Sequence, residues 1–422
     1  MEWLRIFAAW VVCGVVFAPT PALPRCAGEG ARSCDTIPTP SPAQRGPLLR
    51  IPALAPFVHP AHQRAGVGAR CDPWPQWERF KQLYVSPDGR VIDASSERQI
   101  TTSEGQSYAL FFALVANDSM TFARLLQWTE NNLAQGNLQR TLPAWQWGRA
   151  DDGTWRVLDA NAASDSDLWI AYTLAQAGRL WRQSGYADTS RELSRRILRE
   201  EVAAIPGLGA MLLPGPRGFV EGSRWRLNAS YAPIQVLRGI AHESRDPLWD
   251  EVIGSSERVI LESAPRGFAS DWIEYHTGTG FMPDSETGAL GSYNAIRVYL
   301  WAGMLPTSEP RLGKLVRRLQ PMVEHTAAHP APPEEVDVRT LAFRGEGSPG
   351  FSAALLPLLA IDQNPALQTH RARVEAQSLK TNQAYYSDVL TLFGLGWLDG
   401  RYRFEHTGAL QVNWKRSCAP TP

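Results

Sequence analysis

Four segments of this chain place apolar residues at i, i+3, i+4 and i+7, and almost no stretch alternates. They are Tyr108, Phe111, Phe112 and Val115; Leu168, Ala171, Tyr172 and Ala175; Ile296, Tyr299, Leu300 and Gly303; and Leu390, Phe393, Gly394 and Trp397. This spacing lines up one face of an α-helix, and a strand cannot use it. Weaker helical patterns are readable at about 119–134, 187–203, 231–243, 246–264, 309–328, 350–360 and 363–376. These patterns predict roughly eleven helices over some 300 residues, with small hairpins expected near 89–93 and 399–412. Helices of similar length joined by variable loops suit a bundle, an α-solenoid or a closed helical toroid. No self-similarity at a fixed period supports the solenoid, so the expected class is all-α, a toroid of helix pairs.

Composition narrows the function classes. Lys+Arg and Asp+Glu both number 42, with no long basic run, which argues against nucleic acid as partner. A neutral partner suits this balance better. The 16 tryptophans are many, and a flat apolar ring with one N–H donor serves either a core or the face of a sugar.

The ends read differently from the middle. Arg5, the apolar run Ile6 to Phe17 and Thr20-Pro21-Ala22 make residues 1–22 a secretory signal, with a retained anchor as the alternative. Residues 23–70, proline-rich from Ile37 to Gln63, form an unstructured spacer, and the folded domain spans 71–422. Once the signal is removed no membrane segment is expected. Cys26, Cys34, Cys71 and Cys418 then remain, an even number at spacings that match no metal or redox motif. A Cys71–Cys418 bond would staple the ends of one domain, and Cys26 could pair with Cys34.

Two acidic motifs stand at helix starts. Glu104 in Thr101-Thr102-Ser103-Glu104-Gly105-Gln106 can be read as a capping box with Thr101 as cap, or as a catalytic acid. Ser164-Asp165-Ser166-Asp167 can be Ser164 capping a helix whose first-turn acids favour its dipole. Two carboxylates presented at the same end, with Trp145, Trp147, Trp155 and Tyr172 around them, are what glycoside hydrolysis requires. Gly66-Val67-Gly68 lacks the context of a dinucleotide fingerprint, and no Walker, His-Glu-x-x-His or Gly-x-Ser-x-Gly motif occurs. No cofactor and no metal are expected.

These motifs resemble glycoside hydrolase family 8. Ala163-Ser164-Asp165-Ser166-Asp167-Leu168-Trp169-Ile170-Ala171, continuing to Ala177 and Trp181, is similar to the family signature, and Thr102 through Tyr108 to its acid motif. Leu142 to Gly148, Trp225 to Tyr231, Ala295 to Tyr299 and Tyr385 to Phe404 extend the likeness from about Cys71 to Cys418, in the family's order. It is nearest to the periplasmic members associated with bacterial cellulose synthase. The resemblance implies an (α/α)6 barrel, an open cleft for a β-1,4-glucan, an inverting mechanism, a monomer, a secreted, periplasmic location and a functional link to a cellulose synthase complex. It makes Glu104 the general acid and Asp165 the nucleophile or the carboxylate that holds the distorted sugar. It places Trp145, Trp147, Tyr231, Arg297 and Tyr385 along the substrate path.

One catalytic position departs from the pattern, beside smaller changes close in size at Ser166, Thr173 and Ala229. Where the family carries Gly-Ser-Tyr-Asp, its Asp being the usual base, Ser292-Tyr293 is followed here by Asn294. An amide has no lone pair basic enough to take a proton from water at neutral pH. Either a displaced base acts, Asp284 and Glu286 being nearest in sequence, or the protein binds glucan with impaired hydrolysis.

Overall fold

The computed structural model describes residues 74–361, 363–378 and 384–413. The segments expected as signal and spacer, and all five cysteines, including the expected Cys71–Cys418 pair, lie outside the described residues. Twelve α-helices occur among those described: α1 Pro75–Tyr84, α2 Ser103–Val115, α3 Ser119–Leu133, α4 Ser164–Trp181, α5 Ser184–Glu200, α6 Ile234–Ser244, α7 Leu248–Ser263, α8 Ala295–Gly303, α9 Leu312–Ala328, α10 Pro349–Ile361, α11 Ala366–Ser378 and α12 Tyr385–Leu398.

Their composition sorts them into two rings. Every residue of α2 and α8 is buried, as is nearly all of α10 and α12, so these helices are apolar all round. By contrast α5 buries only Ser190, Leu193, Ser194 and Ile197, one stripe of an otherwise charged helix. The even-numbered helices therefore form an inner ring, in which α2 packs on α4, α4 on α6, α6 on α8, α8 on α10 and α10 on α12. Odd-numbered helices cover them, with α1 backing α12. This is the (α/α)6 architecture.

Aromatic rings close the circle. Phe393 of α12 lies 4.6 Å from Phe112 and 5.0 Å from Tyr108, both on α2, 5.1 Å from Trp301 of α8 and 5.4 Å from Trp169 of α4. Next to it, a Cβ on Gly394 would stand 2.0 Å from the carbonyl oxygen of Ala353, so only glycine lets α12 approach α10 this closely.

The strands divide the ends of the barrel. Fourteen short strands form five small sheets: β1 Thr101–Thr102, β2 Gln146–Arg149, β3 Trp155–Asp159, β4 Val202–Ile205, β5 Gly209–Leu212, β6 Val220–Glu221, β7 Arg224–Leu227, β8 Ile273–His276, β9 Gly280–Pro283, β10 Leu290–Gly291, β11 Pro333–Asp337, β12 Phe343–Glu346, β13 Tyr402–Phe404 and β14 Leu410–Val412. All but the last two lie where the chain passes from an outer helix to the next inner one. Long sheet-bearing loops thus surround the N-termini of the inner helices, whereas turns such as 182–183 and 245–247 close the other end.

Two expectations need correction. The helix α1 lies outside the helical segments expected from the sequence, although Trp77, Phe80 and Tyr84 share a buried face. The hairpin expected at 89–93 is a single bridge, Val85 to Val91, whereas the one within 399–412 is β13 paired with β14. Most strands run only two to five residues, too short for alternation to register.

Because Phe393 joins three other inner helices, Phe393→Ala should destabilise the protein by about 3–5 kcal/mol. Denaturant unfolding measures this, and a loss under about 1 kcal/mol would show that the ring junction collapses around the gap.

Candidate active site

Three inner helices begin at one point. The start of α2 is fixed by Thr102, whose Oγ1 accepts from the Gly105 N–H at 3.0 Å, and by β1, whose Thr101 and Thr102 pair with Trp147 and Gln146. Thr102 is the cap, and not Thr101, because the Thr101 hydroxyl donates to the Val91 carbonyl and accepts from Arg90 Nε. Glu104 is consequently free of the capping role and points to the barrel axis. At α4 the cap is Ala163, without a side-chain bond, so Ser164 does not cap either. Ser103 Oγ and Ser166 Oγ lie 2.7 Å apart and tie the two helix starts together. Ser166 spends its own proton on the Ala163 carbonyl, so Ser103 is the donor.

Arg297 of α8 occupies the centre. Its Nη1 donates to Glu104 Oε2, to Tyr108 Oη at 3.0 Å and to Asp165 Oδ2 at 3.1 Å, and its Nη2 donates to Asn294 Oδ1 at 2.8 Å. Glu104, Asp165, Asn294 and Arg297 are all buried. Two carboxylates that share one guanidinium nitrogen leave no room between them for the water of an inverting pair, which needs carboxyl groups about 6.5–9.5 Å apart. The geometry suits Asp165 to gripping a sugar beside the acid.

Electrostatics distinguish the two acids. Burial pushes Glu104 up to about 8, with Arg297 opposing and the Asp165 charge adding to the rise. A carboxyl group that keeps its proton at neutral pH can serve as a general acid. Behind Asp165 lie Asp167 and Glu201, fully buried and, among the described residues, without ion-pair partners. Burial first, and then the nearby carboxylate charges, push both well above the usual carboxylate range.

The aromatic residues expected along a substrate path are distributed around this centre. Trp147 is stacked on exposed Trp155 at 5.4 Å, with the Arg90 guanidinium over both rings. Trp145 joins the same loop to α2 through its carbonyl, which accepts from the Ser103 N–H. Tyr231 ends a short 3₁₀ turn capped by Asn228, faces Arg297 at 5.7 Å and packs on Trp272 with ring centroids 6.0 Å apart. Tyr385 is buried against Phe80 and Tyr84, and a Cβ on Gly105 would lie 2.4 Å from its hydroxyl. Among the described residues no cluster of three or more His, Cys, Asp or Glu is placed to hold a metal ion, and no helix is long and apolar enough to cross a membrane.

Residues 65–400 match the family described as Glycosyl hydrolases family 8. The chain belongs to that family. An endoglucanase of Escherichia coli strain K12 is 46% identical over 353 residues, covering 84% of this chain and 94% of its own. One from Xanthomonas axonopodis pv. citri strain 306 is 46% identical over 380 residues, covering 89% and 97%. The crystal structure of an endo-1,4-D-glucanase from Vibrio fischeri ES114 superposes with a TM-score of 0.79 at 46% identity, covering 81% of this chain and all of that one. The protein is a glycoside hydrolase.

The position at which the resemblance expects a base carries Asn294. Asn294 caps α8 and presents its carbonyl oxygen to Arg297, so it keeps a hydrogen-bonding role without basicity. Asp284 is spent elsewhere: Arg226 donates to both its oxygens at 2.7 and 3.1 Å, and the Thr287 N–H and hydroxyl add two more bonds. Glu286 pairs with the same arginine at 3.0 Å from a half-exposed position. Arg226 itself lies over Trp272, 4.2 Å from the ring centroid. Both acids therefore brace the loop after β9 and are not held at Arg297.

Two outcomes follow. Activity should fall as pH rises through about 8, where Glu104 loses its proton, and a pH–rate profile still flat well above that value would contradict the assignment. Asp167 and Glu201 have raised folded-state values, so the stability they contribute is complete below the unfolded carboxylate range and is lost as pH rises through the raised values. Glu201→Gln should therefore lessen the alkaline fall in Tm, which calorimetry at several pH values between about 5 and 9 would show.

Proposed function

We propose that the protein is an exported endo-β-1,4-glucanase that cleaves glucan chains by an inverting acid/base mechanism in the periplasm, alongside cellulose synthesis. The observation that carries this reading is the buried Glu104–Arg297–Asp165 cluster at the mouth of the inner ring, with a protonated acid at its centre. In the reaction, Glu104 gives its proton to the glycosidic oxygen as that bond breaks. Asp165 and Arg297 hold the sugar whose anomeric carbon becomes electron-poor, and Trp147, Trp155 and Tyr231 offer apolar faces to neighbouring rings. The family membership and the endoglucanase relatives support a β-1,4-glucan as substrate. The apolar run at Ile6 to Phe17 supports export.

A second reading rests on Asn294: a glucan-binding accessory protein whose hydrolysis is impaired for want of the usual base. Reducing-end release from soluble cellulose separates the two. The parent should be active, and Glu104→Gln should lower kcat by roughly 10²–10⁴-fold. Equal activity in both proteins would sink the first reading. An inert parent that binds cello-oligosaccharide and gains cleavage with Asn294→Asp would establish the second. Export is checked by periplasmic fractionation and by sequencing the mature N-terminus, which should begin near residue 23.

A further inference from the structure

Asp271 stands two residues before β8 and is joined to the turn that carries Asn294. Its Oδ1 accepts the Ser292 N–H at 2.9 Å and the Ala295 N–H at 2.7 Å, so its carboxylate sits at the N-terminus of α8. The Ser292-Tyr293-Asn294 turn itself is held from the other side, where Ser292 Oγ donates to the Glu334 carbonyl and the Tyr293 hydroxyl to Glu334 Oε1. Among the described residues no side chain donates to Asp271 and it forms no ion pair, in contrast to Asp284 with its four bonds. It retains 8% exposure, whereas Asp167 and Glu201 are sealed. The residue after it, Trp272, packs on Tyr231, which faces Arg297. Asp271 is thus a carboxylate on the same helix start as the family's base position, bordering the cluster that holds the acid.

We propose that Asp271 is the proton acceptor that replaces the missing carboxylate at position 294. The assignment rests on the inverting endoglucanase reading. As the water oxygen bonds to the anomeric carbon, the glycosidic C–O bond breaks and its electron pair takes the proton of Glu104. The proton of the attacking water passes to Asp271, and solvent then resets both acids. Nothing beyond water and glucan is consumed. Burial raises Asp271 to about 6 against the pull of three backbone N–H groups and Arg297, which makes it a better base than an ordinary carboxylate while leaving it ionised at neutral pH. The charged and titratable groups acting at this point are Arg297 and Tyr299 of α8 and Tyr386 of α12. Both tyrosines are held neutral by burial, so Arg297 is the one charge among them.

The test uses the full chain and soluble cellulose. Asp271→Asn keeps an oxygen for the two backbone N–H groups, so it should fold, and its kcat should fall by roughly 10²–10⁴-fold with KM changed only a few-fold. Adding Asn294→Asp to that variant should restore much of the lost kcat, which repair of a purely structural defect would not do. On the parent, kcat should drop on the acid side near pH 6, and Asn294→Asp should move that limb to lower pH; this measurement stands even if Asp271→Asn fails to fold. Parent-like kcat in Asp271→Asn, a loss that Asn294→Asp leaves unrepaired, or an acid limb that does not move would each overturn the assignment. These results leave an active parent in place. An inert parent overturns both this assignment and the hydrolase reading, so the two failures are distinguishable.

Discussion

A buried arginine organises this protein. Removing a guanidinium from water costs several kcal/mol unless it is paired and hydrogen-bonded, and Arg297 is almost wholly enclosed. Glu104, Asp165, Tyr108 and Asn294 supply those partners from α2, α4 and α8, which fixes where the three helices must begin. Burial then decides the chemistry. Desolvation, with the neighbouring Asp165 adding to it, outweighs the pull of Arg297 and leaves Glu104 protonated at neutral pH, so the enclosure that makes the arginine depend on its partners also prepares the acid.

The core below the site is built from the same helices. Tyr108 shows the connection most directly: its hydroxyl accepts from Arg297 while its ring meets Phe393 edge-on at 5.0 Å. Packing of rigid aromatic rings sets the height and rotation of α2, and through it the direction of Glu104. The sheets add a second constraint from outside, since the pairing of Thr101 with Trp147 joins the acid helix to the loop that carries the aromatic faces. Acid and candidate sugar platform are therefore positioned by one small sheet, although some forty residues separate them in sequence.

What was legible in the sequence follows from the length over which a pattern acts. Four inner helices, α2, α4, α8 and α12, were clear because their apolar residues recur at i, i+3, i+4 and i+7, and the acid motifs were clear because they stand at helix starts. Capping was misread at both, Thr102 replacing Thr101 and Ala163 replacing Ser164, since a one-residue shift in backbone entry decides which hydroxyl can reach the free N–H groups. The strands were hidden because pairs as short as Thr101–Thr102 carry no periodicity. Arg297 was legible only as part of a family motif, because nothing local marks an arginine as buried. Asp271 belongs to no motif, and only the folded chain brings it to residues 292 and 295, some twenty positions later.

The position that departs from the family shows how fold and chemistry can separate. An asparagine has nearly the shape of an aspartate and still accepts a hydrogen bond from Arg297, so Asn294 preserves the geometry of the cluster at 2.8 Å. What it removes is a negative charge and a basic oxygen. The loss of charge leaves Arg297 more fully available to Glu104 and Asp165, and it relieves Asp271 of a neighbour whose repulsion would raise its own proton affinity further. With Asn294 in place, the acceptors around Arg297 are the carboxyl groups of Glu104 and Asp165, the Tyr108 hydroxyl and the Asn294 amide oxygen. Its charge still holds down the proton affinity of Asp271, which is tied to the same helix start through the backbone N–H groups of Ser292 and Ala295.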